Sequence, residues 1–279
     1  MTRPALLALA GPGPASTRPA LLALAGPGPA STRPALLALA HGSRDPRAAA
    51  TVAALLARVR ARRPGLAVAA AFLDHARPGV PEAVDALAAA GHREVCAVPL
   101  LLTHAYHGRV DVPRVLAAAQ ARHPRLRLAQ ADVLGGHPAL LAALERRLRE
   151  VGVWPGDPRV TVVLAAAGSS DASANAGVAD LSRRWQAAGW RAVVPAYLSM
   201  AEPTPGQAVR ALRAGGATRV AVASYLVAPG RFQDLLGAAG ADVVSDPLGP
   251  ADELARAVLD RFDVATTASA TGLRVARSA

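Results

Sequence analysis

The chain has 279 residues and 52% hydrophobic content, enough to bury the core of one large domain or two small ones, although much of the apolar count is Ala. Its single cysteine, Cys96, excludes an internal disulfide, a Cys-ligated iron–sulfur cluster and a multi-Cys zinc site, and no uncharged apolar run reaches the ~18–20 residues of a membrane helix. The net charge of +11 is carried entirely by Arg, since Lys is absent; the bases are spread along the chain, aromatics are only 3%, and a nucleic-acid role is set aside.

Thr2–Ser16 reads TRPALLALAGPGPAS, and Thr17–Ser31 repeats it letter for letter. A third copy starts at Thr32 but turns into HGSRDP after Ala40. Gly-Pro-Gly-Pro cannot continue a helix or a central strand, so residues 1–31 are expected to be a disordered, low-complexity and dispensable repeat. One Arg and a short apolar stretch before Gly11 make a poor signal peptide, which points to a cytoplasmic protein.

From Ala35 short apolar runs alternate with helical stretches. Expected strands are Ala35–Ala40, Leu66–Leu73, Val95–Leu102 and Leu126–Ala131. Expected helices are Pro46–Arg63, Val80–Ala90, Val112–Arg122 and Pro138–Glu150. Four βα units imply a parallel sheet with helices on both faces. Residues 151–158, centred on Trp154-Pro155-Gly156, break the pattern and read as a linker. The pattern then restarts, with strands at Val160–Ala166, Ala192–Leu198, Arg219–Val227 and Asp242–Ser245. The matching helices are Ala174–Ala188, Pro205–Ala214, Arg231–Ala239 and Ala251–Phe262. Val264–Ala279 reads as a frayed, disordered tail.

The halves resemble each other in sequence. AHGSRDP at Ala40 parallels AAGSSDA at Ala166, and AFLDHARPGVPEAVDAL at Ala71 parallels AYLSMAEPTPGQAVRAL at Ala196. The expected architecture is therefore α/β: two duplicated Rossmann-like half-domains at 32–150 and 159–263, each a four-stranded parallel sheet flanked by helices. A sheet order of 2-1-3-4 would bring His41, Asp74 and His107 to one carboxyl edge, where open α/β sheets bind ligands. The second half has Ala167, Ser199 and Phe232 at those places. Two imidazoles and a carboxylate can hold a divalent first-row metal or move protons near neutral pH. Ser43, Arg44, His104 and Arg109 lie beside them and are candidates for binding an anionic substrate.

HGSRDP, FLDHARPGVPEAV and VPLLLTHAYHGRVDVP resemble the sirohydrochlorin chelatases, the CbiX-type class II cobalto- and ferrochelatases, in their long two-half form. His107, Asp111, Val112 and Pro113 match the family loop, Ala105 stands where a Gly is usual, and Asp74 stands where many members have Glu. The resemblance implies insertion of Fe²⁺ or Co²⁺, with Ni²⁺ a further option, into sirohydrochlorin without ATP. The macrocycle would lie in the cleft between the halves, in sirohaem or cobalamin biosynthesis. It carries over His41 and His107 as catalytic proton acceptors, and His41, Asp74 and His107 as metal-handling groups. No tightly bound cofactor, nucleic acid or membrane partner is expected, and a monomer is the default because the chain supplies its own second half. The alternative is a non-catalytic carrier of metal or tetrapyrrole.

Overall fold

The computed structural model describes residues 33–104 and 111–276. The repeat at 1–31 lies outside the described residues. In the first half, β1 (Ala35–Ala40), β2 (Val68–Phe72), β3 (Glu94–Pro99) and β4 (Arg127–Gln130) alternate with α1 (Pro46–Arg62), α2 (Val80–Ala89), α3 (Val112–Arg122) and α4 (Ala139–Glu150). In the second, β5 (Val160–Ala166), β6 (Val193–Tyr197), β7 (Arg219–Tyr225) and β8 (Val243–Val244) alternate with α5 (Ala172–Ala187), α6 (Pro205–Ala214), α7 (Arg231–Leu236) and α8 (Asp252–Ala276). The strands form two sheets, β2-β1-β3-β4 and β6-β5-β7-β8, and every pairing is parallel. β1 and β5 are central in their sheets and buried along their whole length, as a strand covered on both faces must be.

Helix starts follow local chemistry. Asp45 caps α1 by accepting the Arg47 N–H at 2.9 Å, and Pro46 opens the helix. Asp171 caps α5 in the same way through Ser173 at 2.9 Å. Thr204 and Gln207 form a capping box on α6. The main departure from expectation is at the carboxyl end. Residues 264–276, expected as part of a frayed tail, continue α8. Val264–Thr271 contains no Gly or Pro to stop the helix, and the Thr266 hydroxyl donates to the Phe262 carbonyl at 2.9 Å.

Three clusters make the core. One outer cluster lies between α2, α3 and the first sheet, and another between α6, α7 and the second. The largest is shared: it unites the inner faces of both sheets with α1, α4, α5 and α8. Its helices cross over. α4 packs on β7 of the second sheet, and α8 packs on β3 and β4 of the first, against α1 and α4. Ion pairs run along this seam, with Arg63 Nη2 at 2.7 Å from Asp263 and Arg146 Nε at 3.3 Å from Glu253.

Cys96 sits in the middle of β3, buried in the shared core. Burial pushes its thiol up to about 12. It therefore stays protonated across the neutral range. We expect iodoacetamide at pH 8 to leave the native protein unmodified and to alkylate Cys96 once denaturant unfolds the chain, checked by intact mass.

Candidate active site

β1 ends where the chain must turn sharply. Ala40 pairs with Phe72, and the next residues, His41 and Leu73-Asp74, leave the sheet side by side. The Asp74 N–H donates to the His41 carbonyl at 2.9 Å. Gly42 follows with φ +96°, and a Cβ there would overlap the Asp74 carbonyl oxygen. Only glycine fits both the backbone angle and the close approach. The second half repeats this construction: the Ser199 N–H donates to the Ala167 carbonyl at 2.9 Å, and Gly168, at φ +84°, abuts the Ser199 carbonyl. The equivalence of His41 with Ala167 and of Asp74 with Ser199 is thus a backbone fact. One edge carries an imidazole and a carboxylate where the other carries a methyl and a hydroxyl.

The Asp74 carboxylate is well exposed, and His75 meets it twice. The His75 N–H donates to Oδ1 at 2.7 Å, and its Nε2 lies 3.2 Å from Oδ2. His75 adopts φ +57°, as Met200 does at φ +60° in the other half, and this left-handed turn swings the ring back over its neighbour. The pair was not anticipated from sequence, although adjacency to Asp74 was the available signal. His41 is exposed at the same edge.

Ser43 has a local role in the turn. Its hydroxyl accepts the Asp45 N–H at 3.0 Å, and Ser169 accepts the Asp171 N–H at the same distance. A role shared by both halves is a turn role. Arg44 is exposed on this turn. Beyond it, Arg47 grips Asp45 and reaches Asp234 of α7 at 3.1 Å, docking the turn onto the second half. His107 and Arg109 lie outside the described residues. Among the described residues, no group of three His, Cys, Asp or Glu side chains converges as a metal site.

His104, after β3, does face a cavity. A space of about 460 Å³ lies between the halves at the carboxyl ends of the strands. Leu102, Thr103, His104 and the Gly135-Gly136 turn form one wall; α5, with Arg183 and Arg184, forms the other, and Tyr225 closes the floor. Tyr225 is buried, its phenol pushed above the usual range by desolvation, and its hydroxyl donates to the Leu102 carbonyl at 3.3 Å. This bond ties β7 of one half to the post-β3 loop of the other. Tyr225→Phe should cost about 1 kcal/mol in a urea unfolding titration, since the carbonyl loses its protein donor while ring packing is kept.

The sheet order, the two-half duplication and the cavity at their shared carboxyl edge describe a recognisable architecture. A family model described as CbiX matches residues 35–151 and 161–265, covering both halves. The chain belongs to the CbiX family. It is 26% identical over 163 residues to a sirohydrochlorin cobaltochelatase of Priestia megaterium, a match covering 57% of this chain and 53% of that protein. The CbiX chain thus spans about half the length of that curated relative. It is also 26% identical over 197 residues to a sirohydrochlorin ferrochelatase of Bacillus subtilis (strain 168), covering 70% of this chain and 74% of that one. Among solved structures, SirB from Bacillus subtilis with Fe³⁺ has the same fold, with a TM-score of 0.73 at 23% identity over 85% of this CbiX chain and 98% of SirB. No described helix is long and apolar enough to cross a membrane.

Proposed function

We propose that this CbiX protein inserts a divalent metal, Fe²⁺ or Co²⁺, into sirohydrochlorin without ATP, in sirohaem or cobalamin biosynthesis. The observation that carries the reading is the asymmetry of the duplicated edges. His41 and Asp74 occupy backbone positions that hold Ala167 and Ser199 in the sister half, and a cavity lies between the halves at the carboxyl ends of the strands. The names of the related proteins supply the reaction.

The chemistry suits these groups. Insertion replaces two pyrrole N–H protons by one M²⁺, so the site must accept protons and receive a partly dehydrated ion. A neutral imidazole does both. His41 and His107 act as proton acceptors and metal-handling groups, and Asp74 offers a carboxylate to the incoming ion. A set with open positions lets the metal leave for the macrocycle, which a closed four-ligand cage would not. The substrate's carboxylates meet the Arg183 and Arg184 side of the cavity, and Arg44 and Arg109 are further candidates to bind them. The protein works as a cytoplasmic monomer whose second half provides the far wall.

The test is the absorbance change when sirohydrochlorin and Co²⁺ or Fe²⁺ are mixed anaerobically with protein, beside a protein-free control and His107→Ala. Insertion well above the control, lost in the variant, supports the reading, and the two ions' rates rank them. A wild type that only matches the control overturns it and favours a carrier.

A further inference from the structure

One ionisable constellation in the cavity wall is not used by the mechanism above. His104 Nε2 lies 3.2 Å from Asp132 Oδ1. Asp132 Oδ2 lies 3.4 Å from Nη1 of Arg261, on α8 of the second half. Arg261 is itself anchored, donating from Nη2 to the Gly135 carbonyl at 3.0 Å. Three segments far apart in sequence, the post-β3 loop, the post-β4 turn and α8, therefore meet at one carboxylate. Both the His104 and Asp132 side chains are about half exposed, at 48% and 49%, so the imidazole is open to the cavity and to water.

We propose that His104 is a further proton acceptor for metal insertion, beside His41 and His107, and that Asp132 is its positioning residue, held in place by Arg261. The inference rests on the chelatase reading. The Asp132 contact assigns the proton of neutral His104 to Nε2 and leaves the Nδ1 lone pair free. As the metal enters, one pyrrole N–H bond breaks and its electron pair stays on nitrogen, which bonds to the metal. The released proton goes to Nδ1 of His104. The imidazolium so formed is stabilised by the Asp132 carboxylate and passes its proton to water, restoring the neutral ring. Charge balances, since two protons leave for each M²⁺ bound and His104 carries one of them. Asp132 is paired with Arg261, which fixes it in place rather than leaving it free to follow the metal. Nothing equivalent stands in the other half, where Pro229, Gly230 and Arg231 occupy the corresponding post-β7 segment.

The experiment uses full-length protein with sirohydrochlorin and Co²⁺. His104→Ala should lower kcat about tenfold or more while KM for the tetrapyrrole changes less than twofold, and added imidazole should restore a substantial part of the rate. Asp132→Asn should lower kcat severalfold with KM again unchanged, and Asp132→Glu should recover part of it. Thermal melts within 2 °C of wild type keep these losses from being folding defects. His104→Ala at full rate, a loss confined to KM, or no response to imidazole overturns the assignment. An active wild type with an unaffected His104→Ala removes this inference alone, whereas a wild type no faster than the protein-free control removes the chelatase reading and this inference with it.

Discussion

His41→Ala should lower the rate of metal insertion by about a hundredfold or more while leaving the melting temperature nearly unchanged. On the proposed function, the rate loss follows from removing an imidazole assigned to accept a proton and handle the ion, a class of contribution that typically reaches 10²–10⁴-fold. The stability result follows from position: His41 is exposed, its backbone bond to Asp74 does not need the side chain, and Ala167 occupies the equivalent place in the second half. Exposed substitutions of this kind usually stay within about 0.5 kcal/mol. The initial rate with Co²⁺ under anaerobic conditions measures the first effect and calorimetry the second. A variant retaining half the wild-type rate would show that the edge asymmetry is drift between two structural halves.

The second large effect is expected at Gly42. Ala there must adopt φ +96° and push a methyl into the Asp74 carbonyl. The left-handed backbone costs about 1–2 kcal/mol, and relieving the overlap adds a cost of the same order, for a total of about 2–4 kcal/mol. Gly168→Ala is the internal control, because its φ of +84° and its approach to the Ser199 carbonyl are nearly the same. Both variants should unfold at lower urea. Only Gly42→Ala should also lose insertion rate per folded molecule, because relief of the overlap moves Asp74. Equal rate losses in the two variants would mean that the second edge shares in the chemistry.

Much of this was legible in the sequence because the relevant signals are local. β1 is an unbroken apolar run closed by a Gly turn and an Asp-Pro cap, and its bounds are those expected. The parallel pairing follows from βα alternation, and the order 2-1-3-4 considered from the sequence is the order found. The equivalence of the halves was visible as repeated letters and reappears as repeated hydrogen bonds. What escaped was of two kinds. The His75 ring turns back onto Asp74 because of a left-handed backbone, which alternating patterns do not reveal. The contacts of His104 with Asp132, and of Asp132 with Arg261, join residues far apart in the chain, and no spacing rule reaches across them. The crossed packing of α4 and α8 was equally hidden, since an amphipathic helix shows which face it buries but not the sheet that receives it. His107 and Arg109, both expected at the site, lie outside the described residues.

The crossing of α4 and α8 has a consequence for self-sufficiency. Each sheet lacks one inner helix of its own and borrows it from the other, so neither half closes a core by itself. A chain cut between 151 and 158 would yield two fragments, each with a half-covered sheet face and a stray apolar helix. They would regain structure only by finding one another. The trade is reciprocal, as in an exchange of like elements between paired identical units. Joining the units in one chain replaces a bimolecular encounter by a high effective concentration. Closure of both cores then no longer depends on how dilute the protein is, and on the proposed function one edge is free to carry the reactive groups while the other serves as frame.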